Sequence, residues 1–232
     1  MKRFVTLGLV LTIVLTAIVS SANNIAKAQS AGLVSSIINR MERNRRSLRS
    51  LRASISMEKW NAQLGDTDRY TGSLIYMPSG SRGANVRVEW TSPQREILAV
   101  LNGQYTLFRP RLNMAYVGTA NSSSAKVSGV LGFGLNVSSQ QLKTKFDYED
   151  LGEETLWGGV RTTHLKFVPK GQASFKYAEV WVDSDGMPVQ TKVVEKNDDA
   201  TTVRLTDVQR NAQVSPDEFR VQLDSSVKKV RS

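Results

Sequence analysis

Two periodicities divide the chain. Leu33, Val34, Ile37, Ile38, Met41 and Leu48 recur at helical spacing, which predicts an amphipathic helix over 31–48 with arginines on its other side. The pattern then changes to the alternation of strands. Ile55 and Met57 share one face of a strand over Ala53–Trp60, and a strand over Tyr70–Met77 stops at Pro78. Residues 79–83 are a loop by composition. Val86, Val88 and Trp90 alternate with Arg87, Glu89 and Thr91, which predicts a half-buried strand ending at Pro93. Glu96–Leu101 is more continuously apolar. Asn102-Gly103 is a strong hairpin signal that returns the chain through Tyr105–Phe108. Pro110 breaks that strand, and Leu112–Val117 forms another.

Residues 119–145 read differently. Small residues dominate, Val127, Val130, Leu131 and Phe133 are apolar, and Gly129, Gly132 and Gly134 predict a loose helical segment. Ser138 to Leu142 begins a second short helix. Strands then resume at Phe146–Leu151, Gly159–Val168, Phe175–Val182, Pro188–Glu195 and Thr201–Val208, with turns at Asp185-Gly186 and Asn197-Asp198-Asp199. Pro216–Phe219 predicts a helical turn before a last strand, Phe219–Leu223. The sum is a mainly β chain, one antiparallel sheet of about ten or eleven strands with helical segments at 31–48 and 122–145. A sheet that long curls, and the helices are the cover for its inner face. The apolar volume so enclosed is either a filled core or a ligand cavity, and the pattern does not choose between them.

The N-terminus changes where this sheet is expected to work. Lys2 and Arg3 precede an apolar run from Phe4 to Val19, and Ala26-Lys27-Ala28 supplies small residues at a cleavage site. Residues 1–28 are therefore expected to be an export signal, with 29–232 as one mature domain outside the cytoplasm, in the periplasm. The alternative, a retained anchor, has an apolar run of roughly 16 residues against the roughly 20 needed to span a bilayer. The chain has no cysteine, so neither a lipidated N-terminal cysteine nor a disulfide is available.

The formal charge is +10, and removal of Lys2, Arg3 and Lys27 with no acid leaves +7. Arg40, Arg43, Arg45, Arg46, Arg49 and Arg52 are opposed in their own stretch only by Glu42. That run suits either anionic lipid or an acidic partner, or it is a solvated helix end. No aromatic residue interleaves it, which argues against nucleic acid.

His164 is the single histidine, which removes the usual His-based triads and any multi-histidine metal site; it sits in strand-like sequence and reads as structural. Glu149, Asp150, Glu153 and Glu154 flank Gly152 and read as a solvated turn. Asp183, Asp185 and Gly186 begin like a calcium loop, but the remaining ligands do not follow, and a hairpin turn accounts for them. No glycine loop for phosphate is present. The expectation is a non-enzyme without metal or cofactor.

The order of elements resembles the LolA/LolB-type lipoprotein carriers of the bacterial envelope, over essentially the whole mature chain. The residues that carry the resemblance are Tyr70-Thr71-Gly72-Ser73-Leu74-Ile75-Tyr76, Val86–Trp90 with Pro93, and Asn102-Gly103-Gln104-Tyr105-Thr106-Leu107. Phe108-Arg109-Pro110, Leu165-Lys166-Phe167-Val168-Pro169-Lys170, the strands around Asp185-Gly186 and the late Phe219 complete it. It implies an incomplete β-barrel with helices as a lid, and a monomeric periplasmic carrier with no catalytic residue. Its interior would hold the acyl chains of lipoproteins, or another lipid, on the way to the outer membrane. An inner-membrane donor complex, an outer-membrane acceptor and transient contact with the membrane surface are the implied partners.

The lining would comprise Ile55, Leu74, Tyr76, Val86, Val88, Trp90, Leu98 and Val100, with Leu131 and Phe133 near the lid. Arg82 falls on the family's lid-contacting arginine, although the family's Arg-Pro is here Arg82-Gly83. The family's proline-rich ending is absent after Leu223. The same fold also serves envelope regulators that sense lipid or bind a regulatory protein, and carriers of a free lipid or glycolipid.

Overall fold

The computed structural model describes residues 32–79, 83–120, 135 and 137–231. The expected signal at 1–28, and Arg82, Leu131 and Phe133, lie outside the described residues.

Helix α1 spans 32–47. Six strands follow: β1 (Leu51–Asn61), β2 (Asp66–Pro78), β3 (Ala84–Ser92), β4 (Glu96–Leu101), β5 (Gln104–Arg109) and β6 (Met114–Thr119). Helix α2 (Ser139–Lys145) precedes β7 (Phe146–Leu156), β8 (Val160–Pro169), β9 (Phe175–Asp183), β10 (Pro188–Glu195) and β11 (Ala200–Arg210). A helical turn at Pro216–Phe219 and strand β12 (Lys228–Arg231) end the fold.

These twelve strands form one sheet in the order β12-β6-β5-β4-β3-β2-β1-β11-β10-β9-β8-β7. The sheet is two meanders, β1–β6 and β7–β11, each built from neighbours in sequence. A seam between β1 and β11 joins them, with Ile55 opposite Leu205 and Met57 opposite Val203. All pairings are antiparallel except that of β12 with β6. β7 and β12 occupy opposite edges, so the sheet is not closed into a barrel.

The alternation read from sequence assigns the faces. On the inner face, Val34, Ile37, Ile38 and Met41 of α1 are buried against Leu165, Phe167 and Val180 of β8 and β9. The turn between β9 and β10 presses on the helix so closely that a Cβ at Gly186 would lie 2.5 Å from the Arg40 carbonyl carbon. Gly186 also has a φ of +85°, so only glycine fits this turn and its contact together. The Asn44 amide donates to the Gly186 carbonyl oxygen at 3.3 Å and completes the joint.

The outer face of β3 and β4 is covered by the turn at Pro216–Phe219, a cover the alternation did not reveal. Arg87, on the face opposite Val86 and Val88, donates through Nη1 to the carbonyl oxygens of Glu218 at 3.3 Å and Arg220 at 2.9 Å. Arg52 pairs with Glu218 at 2.5 Å. Phe219 is fully buried, as are Ile97 and Ala99 on the outer side of β4. Burial on both faces explains why Glu96–Leu101 lacks alternation.

Two expectations are corrected. Phe219–Leu223 is not a strand, because Phe219 anchors the chain against the sheet and the neighbouring carbonyls accept from Arg87. The last strand is Lys228–Arg231, parallel to β6. Glu149, Asp150, Glu153 and Glu154 are not in a turn. They lie along β7, with a register shift at Gly152, and the turn comes later at 157–159.

Candidate functional site

The eight described residues expected to line a cavity share the inner face of β1–β4 in transverse rows. Tyr76, Val86 and Val100 stand opposite one another across β2, β3 and β4, and Leu74, Val88 and Leu98 form the next row. Ile55 faces Gly72, beside Trp90. The register shift at Thr71–Gly72 brings β2 so close to β3 that a Cβ on Gly72 would lie 2.1 Å from the Glu89 carbonyl oxygen. Glycine here lets Trp90 lie flush with the row and meet Tyr70 at 5.7 Å between ring centroids. All eight are buried except Val86, which is half-buried.

The structure adds residues to this surface. Leu51 and Ala53 continue the two rows on β1, and Tyr105 and Leu107 continue them on β5. Val203 and Leu205 of β11 join from across the seam. Their alternation was visible in the sequence, but the pairing of β1 with a strand 150 residues away was not. Ala120 packs against the cluster of Leu98, Val100 and Tyr105, and Leu135 is buried in the cluster of Ile55, Leu74, Val88 and Trp90.

Charge sits at the rim of this surface. Burial pushes the Tyr76 phenol up to about 12, although the positive charge of Arg45 works against the shift. Arg45 in turn holds the Glu42 carboxyl down to about 2, against the cost of burial, with help from the Ser139 N–H and Arg46. Glu42 accepts from Arg45 and Arg46 at 2.7 Å and from the Ser139 backbone at 3.0 Å, which ties α1 to the start of α2. Four of the six arginines of the run, Arg40, Arg45, Arg46 and Arg52, therefore bond within the protein. Arg43 and Arg49 are exposed and form no ion pair among the described residues.

His164 is not near this face. It stacks on Trp181 at 3.9 Å, with Glu154 at 3.3 Å and Glu179 at 3.6 Å. Among the described residues no group of three or more His, Cys, Asp or Glu is arranged to hold a metal. Asp183 instead caps its own turn, accepting from the N–H groups of Asp185 and Met187.

The family model described as outer membrane lipoprotein carrier protein LolA matches residues 57–222. The chain belongs to the LolA family. Among curated proteins none matches this LolA-family chain by sequence. Solved structures do match in fold. An uncharacterized conserved protein from Thermus thermophilus superimposes with a TM-score of 0.54 at 13% identity, covering 85% of this chain and 98% of that one. MucB superimposes with a TM-score of 0.55 at 14% identity, covering 84% of this chain and 63% of MucB. The MucA/MucB complex of Pseudomonas aeruginosa gives a TM-score of 0.50 at 16% identity, covering 81% and 60%. The LolA-family chain thus spans under two thirds of MucB, and these likenesses show the fold alone.

Proposed function

We propose that this LolA-family chain is a periplasmic carrier that holds the acyl chains of a lipoprotein, or of another lipid, against the inner face of β1–β4 and moves them towards the outer membrane. The observation that carries the reading is the gathering of Ile55, Leu74, Val86, Val88, Trp90, Leu98 and Val100 on one face of adjacent strands in a chain of this family. An acyl chain of about 14 to 16 carbons, at about 0.8 kcal/mol per buried CH2, supplies on the order of 10 kcal/mol. That is enough to hold a lipid without any catalytic group.

Residues 1–28 serve as the cleaved signal in this reading, and 29–232 as the carrier domain. Leu131 and Phe133 belong to its lining, and Arg82 to its lid contact. The exposed Arg43 and Arg49 bring the domain to anionic membrane surfaces, where raised salt screens the attraction beyond about 10 Å at 0.1 M. Binding to anionic vesicles is expected to weaken as salt rises, and binding indifferent to salt removes that role.

The deciding experiment is native mass spectrometry of the mature protein prepared without detergent, with titration of a fluorescent acyl probe. A bound lipid or acylated peptide, and loss of probe uptake in Leu98→Trp, are expected. A clean apo mass with no probe uptake overturns the carrier reading and makes the inner face a filled core. Capture of a protein partner by that lipid-free form would then favour the regulatory use of the fold.

A further inference from the structure

The outer face of the seam carries a concavity of about 470 Å3, which the carrier reading leaves unused. It lies across β1, β11, β10 and β9. Trp60, Ala200, Val194 and Tyr177 form one row straight across these strands, each opposite the next. Two aromatic side chains thus stand at the ends of a row whose middle is small. Three strand spacings separate them, about 14 Å. The neighbouring row holds Glu58, Thr202 and Lys192, and beyond it Gln190 pairs across to Trp181.

The charges of this trough are spent within the protein. Glu58 pairs with Arg69 at 3.0 Å, Lys192 with Glu179 at 3.8 Å, and Asp198 with Lys176. The neutral polar groups are not spent. The Thr202 hydroxyl, the Gln190 amide and the Trp60 indole N–H have no hydrogen-bond partner among the described residues. Trp60 is 43% exposed, whereas Trp181 is held rigid by its Nε1 donating to Glu154 at 2.7 Å. The strands beneath are paired on both sides, so no backbone edge is free here for an added peptide strand.

We infer that this outer trough binds a neutral oligosaccharide. The Trp60 ring, and the face of Tyr177 not covered by the Lys166 ammonium at 4.8 Å, suit the C–H faces of sugar rings, and the unpaired amide and hydroxyl groups between them suit sugar hydroxyls. Cancelled charges disfavour an anionic or cationic ligand, which would have to break existing pairs. The volume is within the usual range of about 300–1,000 Å3 for small-ligand sites.

The test is titration of the 15N-labelled mature protein with cellohexaose, maltohexaose and chitohexaose, followed through the indole N–H signals of Trp60, Trp90, Trp157 and Trp181. At least one sugar is expected to move the Trp60 and Trp181 signals and leave that of Trp90, on the inner face, in place. Trp60→Ala is expected to weaken binding about tenfold, the factor that follows from loss of one stacked ring. Thr202→Lys, which fills the floor, is expected to abolish it. Acyl-probe uptake serves as the folding control and is unchanged in both variants if the carrier reading holds; near-ultraviolet circular dichroism serves if it does not. Absence of any Trp60 shift at about 1 mM sugar overturns the inference. So do shifts that survive in Thr202→Lys, and binding confined to a sulfated hexasaccharide or an extended peptide.

Discussion

On β8 and β9 the inner face is occupied by α1, and the outer face carries the His164–Trp181 stack and ion pairs. On β3 and β4 the C-terminal segment occupies the outer face, and the inner face carries the apolar rows. The same sheet therefore spends its covering elements on opposite sides in its two meanders. Where α1 lies, Ile37, Ile38 and Met41 fill the space above the strands with protein. Where Phe219 lies, the strands are supported from outside.

Breaking the outer brace has the largest expected effect. Phe219→Ala should cost about 3–5 kcal/mol in urea unfolding, the range for a large buried aromatic. Acyl-probe uptake by the protein that remains folded should persist, because Phe219 is on the far side of the sheet. Loss of stability below about 1 kcal/mol would show that the segment is not a brace.

Next comes the inner cover. Ile38→Ala should cost about 2–4 kcal/mol by the same measurement, since Ile38 of α1 is fully buried against β8 and β9. If the halves are as separate as described, the two losses add to within about 0.5 kcal/mol in the double variant.

A smaller effect comes with acid. The folded-state pKa of Glu42 is depressed to about 2 from 4.5, so its contribution to stability is fully present above about pH 4.5 and is lost as pH falls towards 2. Glu42→Gln should therefore be less stable than the parent by on the order of 2 kcal/mol at pH 6, and the difference should shrink between pH 4.5 and 2. A gap independent of pH would mean that Glu42 does not act through its charge. The smallest effect is at the exposed Glu58–Arg69 pair, where Arg69→Ala should change stability by no more than about 0.5 kcal/mol.

What the sequence made legible was local. Asn102-Gly103 and Asp185-Gly186 mark their hairpins because positive φ is needed there. Alternation placed Val86, Val88 and Trp90 on one face, where the structure has them. Interactions between distant segments were not legible. Lys228–Arg231 carries no strand pattern of its own and is a strand only because β6 offers a free edge. The acids of β7 suggested a turn because an edge strand exposed to solvent needs no apolar alternation. The cover supplied by Phe219 showed itself only as a run of apolar residues in Glu96–Leu101, which also suits a plainly buried strand.

The seam has a consequence in time. Both meanders are wired through short hairpins and assemble locally, but β1 meets β11 only after some 150 residues of intervening chain are in place. The entropy of closing so long a loop rises only slowly with length, by about 0.6 kcal/mol per doubling, but the contact forms late because everything between must first be available. Until then β1 and β11 are unprotected edges, each able to pair with a neighbouring molecule. During synthesis the chain is thus most vulnerable along the line where its two halves will later be sewn together.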